Sequence, residues 1–260
     1  MNKQNLKHPI IMPIAPKPSQ YGIDPAFVKK RVAELPGMCS LKLSEIFPEL
    51  PPVLYPGGAD ALDRLYEVAK TELRKVDMSF IKPDQSVNVL ASHHGFTLLG
   101  GHPYAILIKA TRDVIEEKTG CKNIRLRAGV GMRFRETEEY IKRYELDSYF
   151  GPGKTKGVAP IDEGIPIETE IGTLYGLKSV YDADWIVHCH HTDVREVHFH
   201  RQIDKAVKPF GMSYARIETR STYHQNLGPR AANFTARALF ESPFVQKKFA
   251  FASFLNVGPH

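Results

Sequence analysis

No stretch of this sequence stays apolar for long. None approaches the roughly 18 consecutive apolar residues that a membrane helix needs, so a helical membrane protein is not expected. Cysteine is equally sparse. Cys39, Cys121 and Cys189 are too few and too scattered for a disulfide framework, which makes a reducing cytoplasm the expected compartment. The first residues, MNKQNLKHPIIMPIAPKP, hold only a short apolar patch broken by prolines, without the cleavable core of a secretory signal. A basic block is also missing. The net charge of +6 is spread over KNIRLR, MRFRE, KRY and KPF, which suits a small anionic ligand better than a nucleic acid.

The composition, 42% hydrophobic and 25% charged over 260 residues, is that of an ordinary globular chain. Proline crowds residues 1–22, and an Asp-Pro start predicts a helix in DPAFVKKRVAEL. Leu62, Leu65, Val68, Ala69 and Leu73 recur at helical spacing in the next helix. From about residue 86 short strands and helices alternate. VNVLAS, NIRLRAGVG, DWIVHCH and MSYARIE read as strands, and IPIETEI reads as extended. The predicted helices are PYAILIKATRDVIEEKTG ending on Gly120, RETEEYIKRYEL, a short TLYGLKSVYDA, VREVHFHRQIDKAVK stopped by Pro209, and PRAANFTARALFES. A helical or irregular tail follows. The expected fold is α/β, a mostly parallel sheet with helices on both faces, preceded by a Pro-rich extension. The expected division is an arm with a helical extension over residues 1–83 and an α/β domain over residues 84–260.

Ligands of such sheets bind at the carboxyl ends of the strands. Three loops fall there: SHHGFTLLGGH, GVGMRFRET and HCHHTDVRE. In the first, His93, Gly95 and Gly101 either help to cradle a phosphate with backbone amides or form an ordinary turn that needs glycine. In the second, Arg133 and Arg135 precede a helix whose amino end repels cations, so an anion or the nearby glutamates must offset them. The third opens a run with five histidines, His188, His190, His191, His198 and His200. The period of two turns His188 and His190 to one face of the strand and Cys189 to the other. Histidine carries protons near neutral pH, so the strand-end pair is a candidate acid/base. His198 and His200 lack the helical i, i+4 spacing common in zinc sites.

The order of GVGMRFRETEEY, PIETEIGTLYGLKSVYDADWIVHCHH, and a lysine four residues before a proline (Lys205, Pro209) resembles the N-terminal domain of the nickel-dependent lactate racemase family. The resemblance covers residues 84–226. It implies a racemase or epimerase acting on a small 2-hydroxy acid or sugar acid, by hydride and proton transfer at the α-carbon. It further implies a nickel pincer nucleotide, with Lys205 as the attachment lysine, His224 in STYHQN as a nickel ligand and His200 as a second candidate. His188 or His190 then supplies the acid/base. The sequence departs from the family pattern at several points. Arg133 stands where the family has a catalytic histidine, so Arg133 is a candidate for binding the substrate carboxylate and His94 or His93 for replacing the proton carrier. The loop SHHGFTLLGGH, with His93, Gly95 and Gly101, stands where the family contacts cofactor phosphate. A second, closing domain has little room, so the expectation is a fragment, a site completed by a partner subunit or homo-oligomer, or a fold put to another use. Two other classes remain open: a divalent-metal hydrolase or lyase using His188, His190 and His224, and a non-catalytic subunit completing a partner's site.

Overall fold

The computed structural model describes residues 43–49, 53–56, 58–98, 101–130, 136–191, 206–223 and 228–256; side chains at 43, 44, 98 and 228–233 are not described. The chain divides into two compact units, residues 1–52 with 259–260, and residues 53–258. Of the first, one helical turn, Leu43–Ile46, is described. The Pro-rich arm and the helix expected at 24–35 lie outside the described residues.

The second unit is built on five strands: β1 (Ser86–Ser92), β2 (Asn123–Gly129), β3 (Thr155–Val158), β6 (Trp185–His191) and β7 (Phe249–Leu255). Their order is β3-β2-β1-β6-β7, and every pair is parallel. β1 and β6 are buried along almost their whole length, as strands covered on both faces must be. This explains why SVNVLAS and WIVHCHH read as apolar runs rather than as alternating ones. β4 (Gly164–Thr169) and β5 (Gly172–Leu177) form a separate antiparallel hairpin.

One face of the sheet is covered by α3 (His102–Thr119), which begins after Gly101 with Pro103 in its first turn. It ends on Gly120, whose φ of 70° is the left-handed conformation that glycine tolerates best. Along it lies α1 (Ala59–Arg74), where the Arg74 guanidinium grips Glu117 through two bonds of 2.9 Å. The opposite face carries the hairpin, α6 (Lys178–Tyr181), the turn through Tyr214, α8 (Gly228–Phe240) and α9 (Pro243–Gln246). Leu90, Ile186, Leu177, Val180, Phe210, Tyr214, Leu239 and Val245 pack together there as a dry core. The fold is therefore α/β with a mostly parallel sheet and helices on both faces.

Several local expectations need correction. RETEEYIKRYEL is two helices, α4 (Glu136–Arg143) and α5 (Leu146–Phe150), broken where Glu145 takes a φ of 55°. TLYGL is strand β5, and only Lys178–Tyr181 is helical. Pro209 lies inside the helical stretch 206–211 instead of ending it; its carbonyl accepts from the backbone N–H of Met212 and of Tyr214. MSYARIE is no strand. It is a turn with one bridge between Gly176 and Ala215, followed by α7 (Ile217–Ser221). Where the sequence suggests a helical or irregular tail, the chain forms the edge strand β7, which pairs with β6.

Candidate functional site

The strand order makes β1 the pivot of the sheet. The chain leaves β1 for β2 and β3 on one side and returns to β6 and β7 on the other, so the crevice outside the carboxyl ends of β1 and β6 is a topological switch point. Ser92 and His93 stand at one lip and His190 and His191 at the other.

The register arranges the side chains in rows. Leu90 is opposite both Arg127 and His188, and His188 is opposite Ala252, so these four form one row on one face of the sheet. One row nearer the carboxyl edge, Gly129 is opposite Ser92 and His190 is opposite Phe254. Across β1 and β6 the two are joined by a 3.1 Å hydrogen bond between the Ser92 hydroxyl and His190 Nδ1. The imidazoles of His188 and His190 lie 5.1 Å apart, centre to centre. The sequence expectation that they share a face holds, and Cys189 does point away from them. Its thiol meets Thr111 and Ser253 on the α3 side, where burial pushes its pKa up.

His188 sits in a closed aromatic cage. Phe210, Tyr214 and Phe254 surround its ring at 5.5, 5.6 and 6.1 Å. Its Nδ1 lies 3.1 Å from the Tyr214 hydroxyl, and its Nε2 is buried with no hydrogen-bond partner among the described residues. Desolvation, helped by His191, lowers its pKa to about 3, so the ring is neutral at any ordinary pH. Burial raises the Tyr214 phenol far above its usual range, so it keeps its proton.

Tyr104 of α3 ties the two lips together from the other face. Its hydroxyl donates to the Cys189 carbonyl at 2.6 Å and accepts from the Ser92 N–H at 3.1 Å. His93 opens α2 (His93–Leu98) directly after β1 and meets Glu136, the first residue of α4, at 3.0 Å. A carboxylate so placed orients an imidazole. His94 lies 5.4 Å from His93, ring to ring.

The two glycines of the Gly/His loop have packing reasons of their own. A Cβ at Gly95 would stand 2.2 Å from the Tyr104 ring, and one at Gly101 would stand 1.8 Å from the Tyr144 hydroxyl, with φ there at 79°. Arg133, His200, Lys205 and His224 lie outside the described residues. Among the described residues no group of three His, Cys, Asp or Glu side chains converges as a metal centre. The described residues therefore do not by themselves form a nickel or other metal site. Sequence reasoning missed Tyr214, Ser92 and Tyr104 altogether and saw Glu136 only among the glutamates beside Arg133 and Arg135. Nothing local marks the first three; their roles come from register and from a turn that crosses the sheet.

Among solved structures the chain is similar to a lactate racemase apoprotein from Thermoanaerobacterium thermosaccharolyticum, with a TM-score of 0.55 and 13% identity. The match covers 75% of this chain and 49% of that one, so the chain spans about half the length of its structural neighbour. No protein-family model and no curated protein matches the sequence. At this identity the likeness shows a common fold, and it agrees in kind with the family resemblance read from the sequence.

Proposed function

We propose that this chain is a racemase- or epimerase-like enzyme acting on a small 2-hydroxy acid or sugar acid. One observation carries the reading: two sets of imidazoles, His93 with Glu136 and His188 with His190, stand at the carboxyl ends of the strands that flank the switch point. Inverting a centre calls for proton carriers at either lip of a cleft that excludes water, and histidine is the side chain suited to that work near neutral pH. In this reading one histidine of the β6 pair, together with His93 and with His94 beside it, moves the hydroxyl proton, and Arg133 binds the substrate carboxylate. The fold shared with a lactate racemase supports the choice of substrate class. A nickel pincer nucleotide belongs to the proposal: Lys205 would attach it, His224 and His200 would hold its metal, and it would supply a hydride acceptor. His93, Gly95 and Gly101 would line its phosphate side.

The test uses full-length protein made together with the enzymes that assemble the cofactor. Intact-mass measurement should find a nucleotide-sized adduct that Lys205→Ala lacks. Chiral chromatography should then show interconversion of D- and L-lactate or of a related 2-hydroxy acid, reduced about 10²–10⁴-fold in His190→Gln. Adduct-bearing protein that inverts no member of a 2-hydroxy acid panel would sink the reading.

A further inference from the structure

The sequence leaves His188 and His190 interchangeable as proton carriers. Their surroundings separate them, and the residue that does so is Tyr214.

The Tyr214 hydroxyl and His188 Nδ1 are 3.1 Å apart and fully enclosed, so the pair shares one hydrogen bond in one of two senses. If His188 donated from Nδ1, the phenol would need a second acceptor for its own proton, and Nε2 would hold a bare lone pair. If Tyr214 donates to Nδ1, the phenol is satisfied and one donor, Nε2–H, remains. The second arrangement orphans fewer groups and sets the more acidic proton against the more basic nitrogen. The neighbours of His188 do not favour a charged ring. Leu90 flanks it on β1, Ala252 and Phe254 on β7 and Phe210 beyond the sheet, while the titratable groups facing it among the described residues are His190, His191 and Tyr214. None of these is an acid that could offset an imidazolium. His190 differs in position. It lies one row nearer the carboxyl edge, with Nδ1 on the Ser92 hydroxyl rather than on a caged phenol.

We infer that Tyr214 is a positioning residue: its hydroxyl fixes His188 as a neutral Nε2–H donor, and the proton-carrying role falls to His190. The second half of this inference rests on the racemase reading; the Tyr214–His188 pairing stands without it. With Nδ1 taken by the phenol and a proton on Nε2, the ring has no lone pair left to offer a metal ion. His188 is thereby removed from the candidate ligand set of a hydrolase.

The deciding measurement is ¹⁵N-histidine NMR of the full-length protein between pH 5 and 9, with His188→Gln identifying the resonances. Wild type should show His188 as the Nε2–H tautomer, unchanged by pH, and Tyr214→Phe should mix the tautomers while leaving the far-UV circular dichroism intact. A His188 that titrates in this range, carries its proton on Nδ1, or ignores Tyr214→Phe would overturn the pairing. In the racemisation assay, His188→Gln should retain activity to within about tenfold, and His190→Gln should lose about 10²–10⁴-fold. The reverse ranking would overturn the division of roles. Loss of turnover in every sample, wild type included, would count against the racemase reading while the NMR result still decides the pairing.

Discussion

Two polar clusters, one on each face of the sheet, are built on opposite plans. On the α3 side, Asp113 joins three helices. One of its oxygens accepts from the hydroxyls of Tyr66 and Tyr149, and the other meets Arg112 at 2.6 Å. Desolvation, reinforced by Asp113, raises both phenols, Tyr149 well above its usual range, so they remain donors. Charge is matched there and both carboxylate oxygens are used. On the other face, His188 has one nitrogen bonded and the other buried without a partner, and no carboxylate stands beside it among the described residues. A cluster whose groups satisfy one another works as a fastener. A cluster that leaves a buried donor waiting is held in place by its surroundings, as working sites are.

The contrast can be broken first by pH. His188 has a folded pKa depressed to about 3 against an unfolded value near 6.5, so its contribution to stability is complete above about 6.5 and lost as pH falls toward 3. Across that window the group alone should cost about 1.4 kcal/mol per pH unit. Denaturant melts at pH 7 and pH 5 should therefore show a steeper loss in wild type than in His188→Gln; equal losses would mean the cage is wet. Next in size is Gly95→Ala. The new methyl meets the Tyr104 ring at 2.2 Å, and relief must come from moving the ring that bridges β1 and β6. A loss of about 1–3 kcal/mol is expected, together with reduced racemisation. The smallest effect should come from Asp113→Ala, at about 1–2 kcal/mol because the site is partly exposed, with activity unchanged. An activity loss in Asp113→Ala would end the distinction between the two clusters.

The sequence made the central strands readable because burial on both faces leaves an apolar run, and it made α3 readable through Pro103 and Gly120. It hid β5 and β7, whose short segments become strands only by pairing, with β4 and with the distant β6. The site shows the same division. Two-residue alternation sufficed to align His188 with His190, since that relation is local. Tyr214 escaped because its segment resembles a strand, while its contact with His188 depends on backbone folded across the sheet face. Glu136 was visible as an acid at a helix start, but its pairing with His93 depends on β1 and β2 lying side by side. The readings that rest on Arg133, Lys205, His200 and His224 fall on residues that are not described.

Gly129 shows how narrow the tolerances around this face are. Any atom added to its α-carbon would lie 2.1 Å from the main-chain oxygen of Ser213. The peptide of Ser213 leads directly into Tyr214, so a methyl group on β2 would lift the phenol from the imidazole two strands away. A single glycine of β2 thus sets the seat of the ring that shuts the cage, and its bare backbone acts on histidine chemistry it never touches.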